Sequence, residues 1–157
     1  MVTQFIIGLA TGVTVLVGRY FGEQKERKLS KATGAAIVFF GVLALILSVI
    51  YVGGHQMMVE LMQTPSEAVA ATKQYLFTCA LGIVFIAGYN VVSSILTGLG
   101  DSKTPFLFIL IACIINVVLD IVLVRYFYMG ALGTAIATTI AQAGSFLFAL
   151  LVLKKKD

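Results

Sequence analysis

The stretch PFLFILIACIINVVLDIVLVRYF, from Pro105 to Phe127, decides the fold. Its 23 residues measure about 34 Å as an α-helix, enough to cross a hydrocarbon layer of about 30 Å. Asp120 and Arg125 are its only charges. A helix that is apolar on all sides has no face to turn to water, so it belongs in a core or a bilayer. Working outward, four more stretches short of charge lie at about 2–18, 32–52, 75–96 and 132–153. The first is the shortest, at roughly 25 Å, and looks clipped at its amino end. The expected architecture is all-α: a polytopic membrane helix bundle of five transmembrane helices.

Composition agrees. Hydrophobic residues make up 60% of the 157 and charged ones 11%, with a mean hydropathy of +1.04. A soluble domain is about 45–50% apolar and about 25% charged, so an ordinary water-soluble enzyme is excluded, as are disordered and disulfide-scaffold classes. The natural partner is a lipid bilayer. A net charge of +4 confined to short connections is a membrane-loop pattern, so no nucleic acid is expected. Cys79 and Cys113 lie in apolar runs and read as packing residues. Met1 leads into Val2 and Phe5 without a basic segment, and no removable signal peptide is expected. The sequence has no phosphate-binding GxxxxGK[ST], no nucleophile elbow and no zinc spacing, so no enzyme is expected.

Lysine and arginine set the orientation. Arg19, Lys25, Arg27, Lys28 and Lys31 in the first connection, Lys103 in the third, and Lys154, Lys155 and Lys156 in the tail fall on one side. The alternate connections carry only Lys73 and Arg125, a split of nine against two. Basic short loops stay in the cytoplasm, which predicts a multi-pass protein of the cell (inner or plasma) membrane with a cytoplasmic carboxyl terminus.

Two connections have more structure in their sequence. Within residues 53–74, an amphipathic stretch runs from Met57 to Met62, and Thr64, Pro65 and Glu67 form a capping box for a helix entering the third span. His55, with no ligand-type neighbour at metal spacing, reads as an exposed polar residue. From Gly98 to Pro105, GLGDSKTP predicts a tight turn with Pro105 opening the next helix. Tyr126, Phe127 and Tyr128 beside Arg125 read as an interfacial anchor.

Asp120 is the informative residue. It lies about 6 Å along the helix from the midpoint at Asn116, where an aspartate costs about 2.5–3.5 kcal/mol on insertion scales. Such a residue either holds helices together by hydrogen bonds or serves an ion or proton pathway. Asn116 is one turn away on the same face. A hairpin centred on Met129 puts residues whose numbers sum to 258 at equal depth, which sets Asp120 level with Thr138 and Asn116 level with Gln142. The cluster can exchange a proton at Asp120, or place oxygens around a hard cation such as sodium. Gln142, Tyr89 and Asn90 are polar enough to line a cavity or to bond neighbouring helices. Apart from sodium or a proton, no cofactor is expected. Gly8 and Gly12 form a GxxxG pattern, and Gly130, Gly133, Ala135, Ala137 and Ala141 crowd the fifth span, both read as close helix packing.

Five segments in order resemble the multidrug and toxic compound extrusion (MATE) family of cation-coupled antiporters. They are VGRYFGEQKERKLSKA (Val17–Ala32), LMQTPSEAV with Tyr75 and Leu76, YNVVSSILTGLGDSKTPF (Tyr89–Phe106), INVVLD (Ile115–Asp120) and MGALGTAIATTIAQ (Met129–Gln142). The resemblance implies helices two to six of the amino-terminal lobe of a two-lobe, twelve-helix transporter. It also implies a central cavity for amphipathic, often cationic drugs and a cation or proton site at Asn116, Asp120 and Thr138. The family's first helix and second lobe have no counterpart here, so a fragment is expected, completed in a full-length chain. Two other readings stand beside drug antiport: a lipid-linked saccharide flippase of related fold, and a non-transporting membrane subunit. Basic residues for a pyrophosphate head group are nearly absent from the spans, which favours the drug exporter.

Overall fold

The computed structural model describes residues 2–54, 57 and 69–156. Five helices follow in order: α1 (Val2–Gly22), α2 (Glu26–Gly53), α3 (Val69–Gly98), α4 (Lys103–Asp120) and α5 (Gly130–Lys156). A π-helical segment over Ile121–Tyr126 continues α4 to the last connection. All five are long and apolar enough to cross a membrane, and the protein is an all-α, multi-pass membrane bundle. The helices overrun the uncharged stretches, because a backbone that has left lipid keeps its internal hydrogen bonds until the chain must turn. Arg19 ends α1, and Arg27, Lys28 and Lys31 open α2. The Thr64–Glu67 capping box, His55 and most of the Met57–Met62 stretch lie outside the described residues.

The turns are built from charge and glycine. Between α1 and α2, Gln24 adopts φ 53°, and Glu23 accepts hydrogen bonds from Lys25 Nζ at 2.7 Å and Arg19 Nε at 2.9 Å. Between α3 and α4, Gly100 takes the left-handed φ of 88°. The expectation that Pro105 opens α4 is corrected: the helix begins at Lys103. Asp101 caps it, accepting from the Thr104 amide at 3.1 Å and the Thr104 hydroxyl at 2.6 Å. Pro105 falls within the first turn, where its missing N–H leaves no intrahelical bond unmade.

α3 is the centre of the bundle. Half of its apolar window is buried inside the protein against 6% for the α4 segment, and it packs on α1, α2 and α5. Ile83, Ala87, Val91, Ile95 and Leu96 of α3 meet Ile6, Ala10 and Val17 of α1 and Ala36, Phe40 and Ala44 of α2. α4 stands at the edge, held chiefly by α5, where Phe108 and Phe148 pack edge to face with centroids 5.4 Å apart. Hydroxyls lace the helices: Ser48 of α2 donates to the Ala80 carbonyl at 2.8 Å, and Ser145 of α5 to the Phe108 carbonyl at 3.0 Å.

Close backbone approach of two helices is not found where the GxxxG pattern put it. A Cβ added at Gly8 or Gly12 would have nothing within 4 Å, so neither mediates a contact among the described residues. Gly98 does. A Cβ there would sit 2.8 Å from both the Thr14 carbonyl oxygen and the Val17 Cβ of α1. Ala135, Ala137 and Ala141 are buried, as small residues at a helix contact should be.

Gly98→Ala is therefore expected to destabilise the bundle by about 1–3 kcal/mol, since backbone must shift to admit one methyl, whereas Gly12→Ala should be near neutral. Thermal unfolding in detergent reads both, and equal melting of the two variants would contradict this packing. The Lys25 and Arg19 hydrogen bonds hold the exposed Glu23 carboxyl down from 4.5 to about 2. A depressed carboxyl stabilises the turn above its ordinary value and loses that contribution as pH falls through the depressed one. A nuclear magnetic resonance titration of Glu23 should find its midpoint near 2, moving upward in Lys25→Ala. An ordinary carboxylate midpoint in the unmodified protein would show that the bracket does not persist.

Candidate functional site

The site grows from the α4–α5 hairpin. Tyr128, at φ 54°, and Gly130, at φ 53°, reverse the chain, and the Met129 amide donates to the Leu123 carbonyl at 3.1 Å. That bond folds Met129 back to the depth of Leu123. The preceding π segment is a wider turn and so climbs less per residue than an α-helix. Both effects shorten the arm leading to Asn116. The expected register, with numbers summing to 258, is thereby corrected by about one turn: Asn116 Nδ2 donates to Thr138 Oγ1 at 3.2 Å, and Gln142 is not its partner.

Asp120 is half-buried, and its Oδ1 is sealed from solvent without a hydrogen-bond partner. It sits at the junction where α4 passes into the π segment. The predicted companions are thus divided. Asn116 and Thr138 join each other, while Asp120 stands one turn along the same face and outside that bond. A buried acceptor left unmade costs about 1–3 kcal/mol, and more if it is charged.

Two clefts adjoin this hairpin. One, of about 260 Å³, gathers Tyr89 of α3, Asn116 and Cys113 of α4, and Thr138, Gln142 and Ser145 of α5. Four predicted site residues, Tyr89, Asn116, Thr138 and Gln142, therefore share one wall system. The Tyr89 hydroxyl is buried and makes no hydrogen bond, one turn from Ser93. Asn90 lines neither cleft; its amide donates to the Ile86 carbonyl of its own helix at 2.7 Å. Cys113 is exposed on α4 and not packed away, because among the described residues α4 packs chiefly on α5.

The second cleft, of about 410 Å³, shares Thr138 and Gln142 and opens between α3 and α5 toward Tyr51, Tyr75, Cys79 and Thr139. Sequence reasoning missed Tyr51, Cys79 and Thr139 as lining residues. The available signal was spacing: Tyr75, Cys79, Gly82, Ile83 and Ile86 recur every three or four residues along one face of α3. Thr139 Oγ1 donates to the Ala135 carbonyl at 2.9 Å and to the Thr78 carbonyl of α3 at 3.3 Å. The lining is aromatic, hydroxyl, thiol and amide, with no charged side chain among the described residues that form it.

Residues 1–122 match the MatE family profile. The chain belongs to the MatE family. It is 31% identical over 163 aligned residues to a probable multidrug resistance protein, YpnP, of Bacillus subtilis, covering 99% of this chain and 35% of that protein. It is 35% identical over 88 residues to a probable lipid II flippase, MurJ, of Thermotoga maritima, covering 56% of this chain and 18% of that one. A solved inward-facing multidrug resistance MATE transporter superposes with a TM-score of 0.91 at 22% identity, over 97% of this chain and 34% of that one. The chain thus spans about a third of the length of relatives it matches from end to end.

If the Asn116–Thr138 bond ties α4 to α5, a double-mutant cycle with Asn116→Ala and Thr138→Val should return a coupling of about 0.5–1.7 kcal/mol in unfolding free energy. Additive single effects would show that the two side chains merely lie side by side.

Proposed function

We propose that this MatE-family chain is the larger part of one lobe of a cation-coupled antiporter that exports amphipathic, often cationic drugs. In this reading the family's first helix and second lobe come from a longer chain. The protein sits in the cell membrane with the carboxyl end of α5 in the cytoplasm, a direction supported by the nine-to-two split of basic residues. The uncharged cleft with Tyr51, Tyr75 and Gln142 supplies aromatic surface and a few hydrogen-bonding groups on this lobe's side of the drug cavity.

The observation that carries the coupling proposal is the buried, unpartnered Oδ1 of Asp120, one turn from the Asn116–Thr138 bond. Protonated, the carboxyl needs only a neutral contact. Ionised, it holds sodium together with the oxygens of Asn116 and Thr138, which suit a hard cation. Occupancy by either then shifts the balance between outward-open and inward-open states by its difference in affinity for the two.

The flippase reading rests on the match to the Thermotoga maritima protein, over little more than half of the chain. The drug reading is supported along 99% of it. The cleft linings also lack the cations that a pyrophosphate head group would meet.

Asp120→Asn in the full-length protein should lower efflux of a fluorescent cationic dye by roughly tenfold or more and remove its dependence on the proton or sodium gradient. Efflux that stays unchanged and equally gradient-dependent would exclude Asp120 from coupling. Export of a lipid-linked saccharide without any dye transport would favour the flippase.

A further inference from the structure

α2 and α5 both rest on α3, and among the described residues their backbones do not come close to each other. At the end of the bundle that carries Lys25, Lys103 and Lys154 this leaves a furrow with α3 as its floor. Leu29, Gly34 and Ile37 of α2, Ile95 and Leu99 of α3, and Leu153 of α5 line a cleft of about 410 Å³ there. A second cleft of similar volume shares Glu26 and Leu29 with it and continues to Tyr20, Gln24 and Lys25. Glu26 and Leu29 border both, so the two clefts meet along the first turns of α2, and from there the α2 wall gives a path toward Ile37.

Polarity along that path is ordered. Glu26, Ser30, Thr33, Gly34 and Ile37 recur every three or four residues and so form a single stripe of α2. Over about 16 Å the stripe passes from a carboxylate through two hydroxyls to apolar surface, parallel to the helix axis. A partner helix inside the membrane would need no such gradient, whereas a molecule with a charged head and an apolar tail has it built in. The passage is open beside Gly34, where a Cβ would have nothing within 4 Å.

Charge narrows the head group. The described side chains at this end number seven cations against three carboxylates. Glu23 is engaged by Arg19 and Lys25, and Asp101 by the Thr104 cap. Glu26 lines both clefts, and no ion pair engages it among the described residues. Lys25 is the cation among the described residues that line these clefts, shared there with Glu23, and Glu26 is the carboxylate in their wall; the first can meet a phosphate and the second a hydrogen-bonding cation. Neither group alone satisfies both.

We propose that this furrow seats one phospholipid bearing a primary ammonium, its acyl chain along Ile37, Ile95 and Leu153, its ammonium at Glu26 and its phosphate beside Lys25. A quaternary ammonium cannot donate to Glu26, and an anionic head group meets the carboxylate with like charge. Seating does not depend on the transport cycle or on Asp120.

The test reconstitutes the protein in nanodiscs holding equal parts of phosphatidylethanolamine, phosphatidylcholine and phosphatidylglycerol with matched chains, and counts retained lipids by native mass spectrometry. One phosphatidylethanolamine should be retained about fivefold over each of the others, the scale of one charge contact at a membrane surface. Glu26→Gln should bring the preference to parity with phosphatidylcholine. Gly34→Leu, which fills the passage, should abolish retention while the helical circular dichroism is kept. Glu26→Gln, at an exposed position, decides alone if Gly34→Leu does not fold. Equal retention of the three lipids, preference for phosphatidylglycerol, an unaltered preference in Glu26→Gln, full retention in a folded Gly34→Leu, or a dimer seated on this face would each overturn the proposal.

Discussion

Hydrocarbon offers no hydrogen-bond partner, so every polar group carried to mid-bilayer depth must be answered from within the protein. The bundle obeys this almost everywhere. Ser48, Thr139 and Ser145 donate to carbonyls of neighbouring helices, Asn90 donates to its own helix, and Asn116 donates to Thr138. Among the described side chains, the Tyr89 hydroxyl and Asp120 Oδ1 are buried without an answer, and both lie near the α4–α5 hairpin. One of these two failures of the rule, at Asp120 Oδ1, is the proposed coupling site.

The architecture allows that failure because α4 is peripheral. α3 carries the packing load through its contacts with α1, α2 and α5, and Gly98, where a Cβ would clash with Thr14 and Val17, lets it lie close against α1. α4 is held by the Phe108–Phe148 contact, the Ser145 and Asn116 bonds, and the short turn at Tyr128. A helix with one principal neighbour can change its register at modest expense. The π segment directly after Asp120 shows a register already displaced from the α-helical one.

Helix number and order were legible in the sequence because hydropathy measures length, and length is what a bilayer selects. Rotation and depth were not. A span that is apolar on every side has no moment to say which face looks inward, so the GxxxG pair of Gly8 and Gly12 looked like a contact while Gly98 made the real one. Arithmetic across the hairpin assumed an α-helix up to a symmetric turn at Met129. The π segment and the Met129–Leu123 bond, neither of which has a local sequence signature, moved the pairing of Asn116 to Thr138. Asp101 was hidden as a cap because Pro105 offered a simpler start. Tyr89, Asn116, Thr138 and Gln142 were recognisable as polar residues out of place in lipid, and the structure assembles them around one cleft.

The central claim is that the Asp120 carboxyl receives a proton or a hard cation in a site closed to water. Isotope-labelled aspartate, read as the difference between the protein and its Asp120→Asn variant, gives Asp120 a readable infrared signal. Difference spectra of the reconstituted protein should show a carboxyl band that answers to sodium or to pH, is shifted by the label, and has the frequency of a group in apolar surroundings. An aspartate signal that stays that of a hydrated carboxylate, unmoved by sodium across the same pH range, would contradict the account.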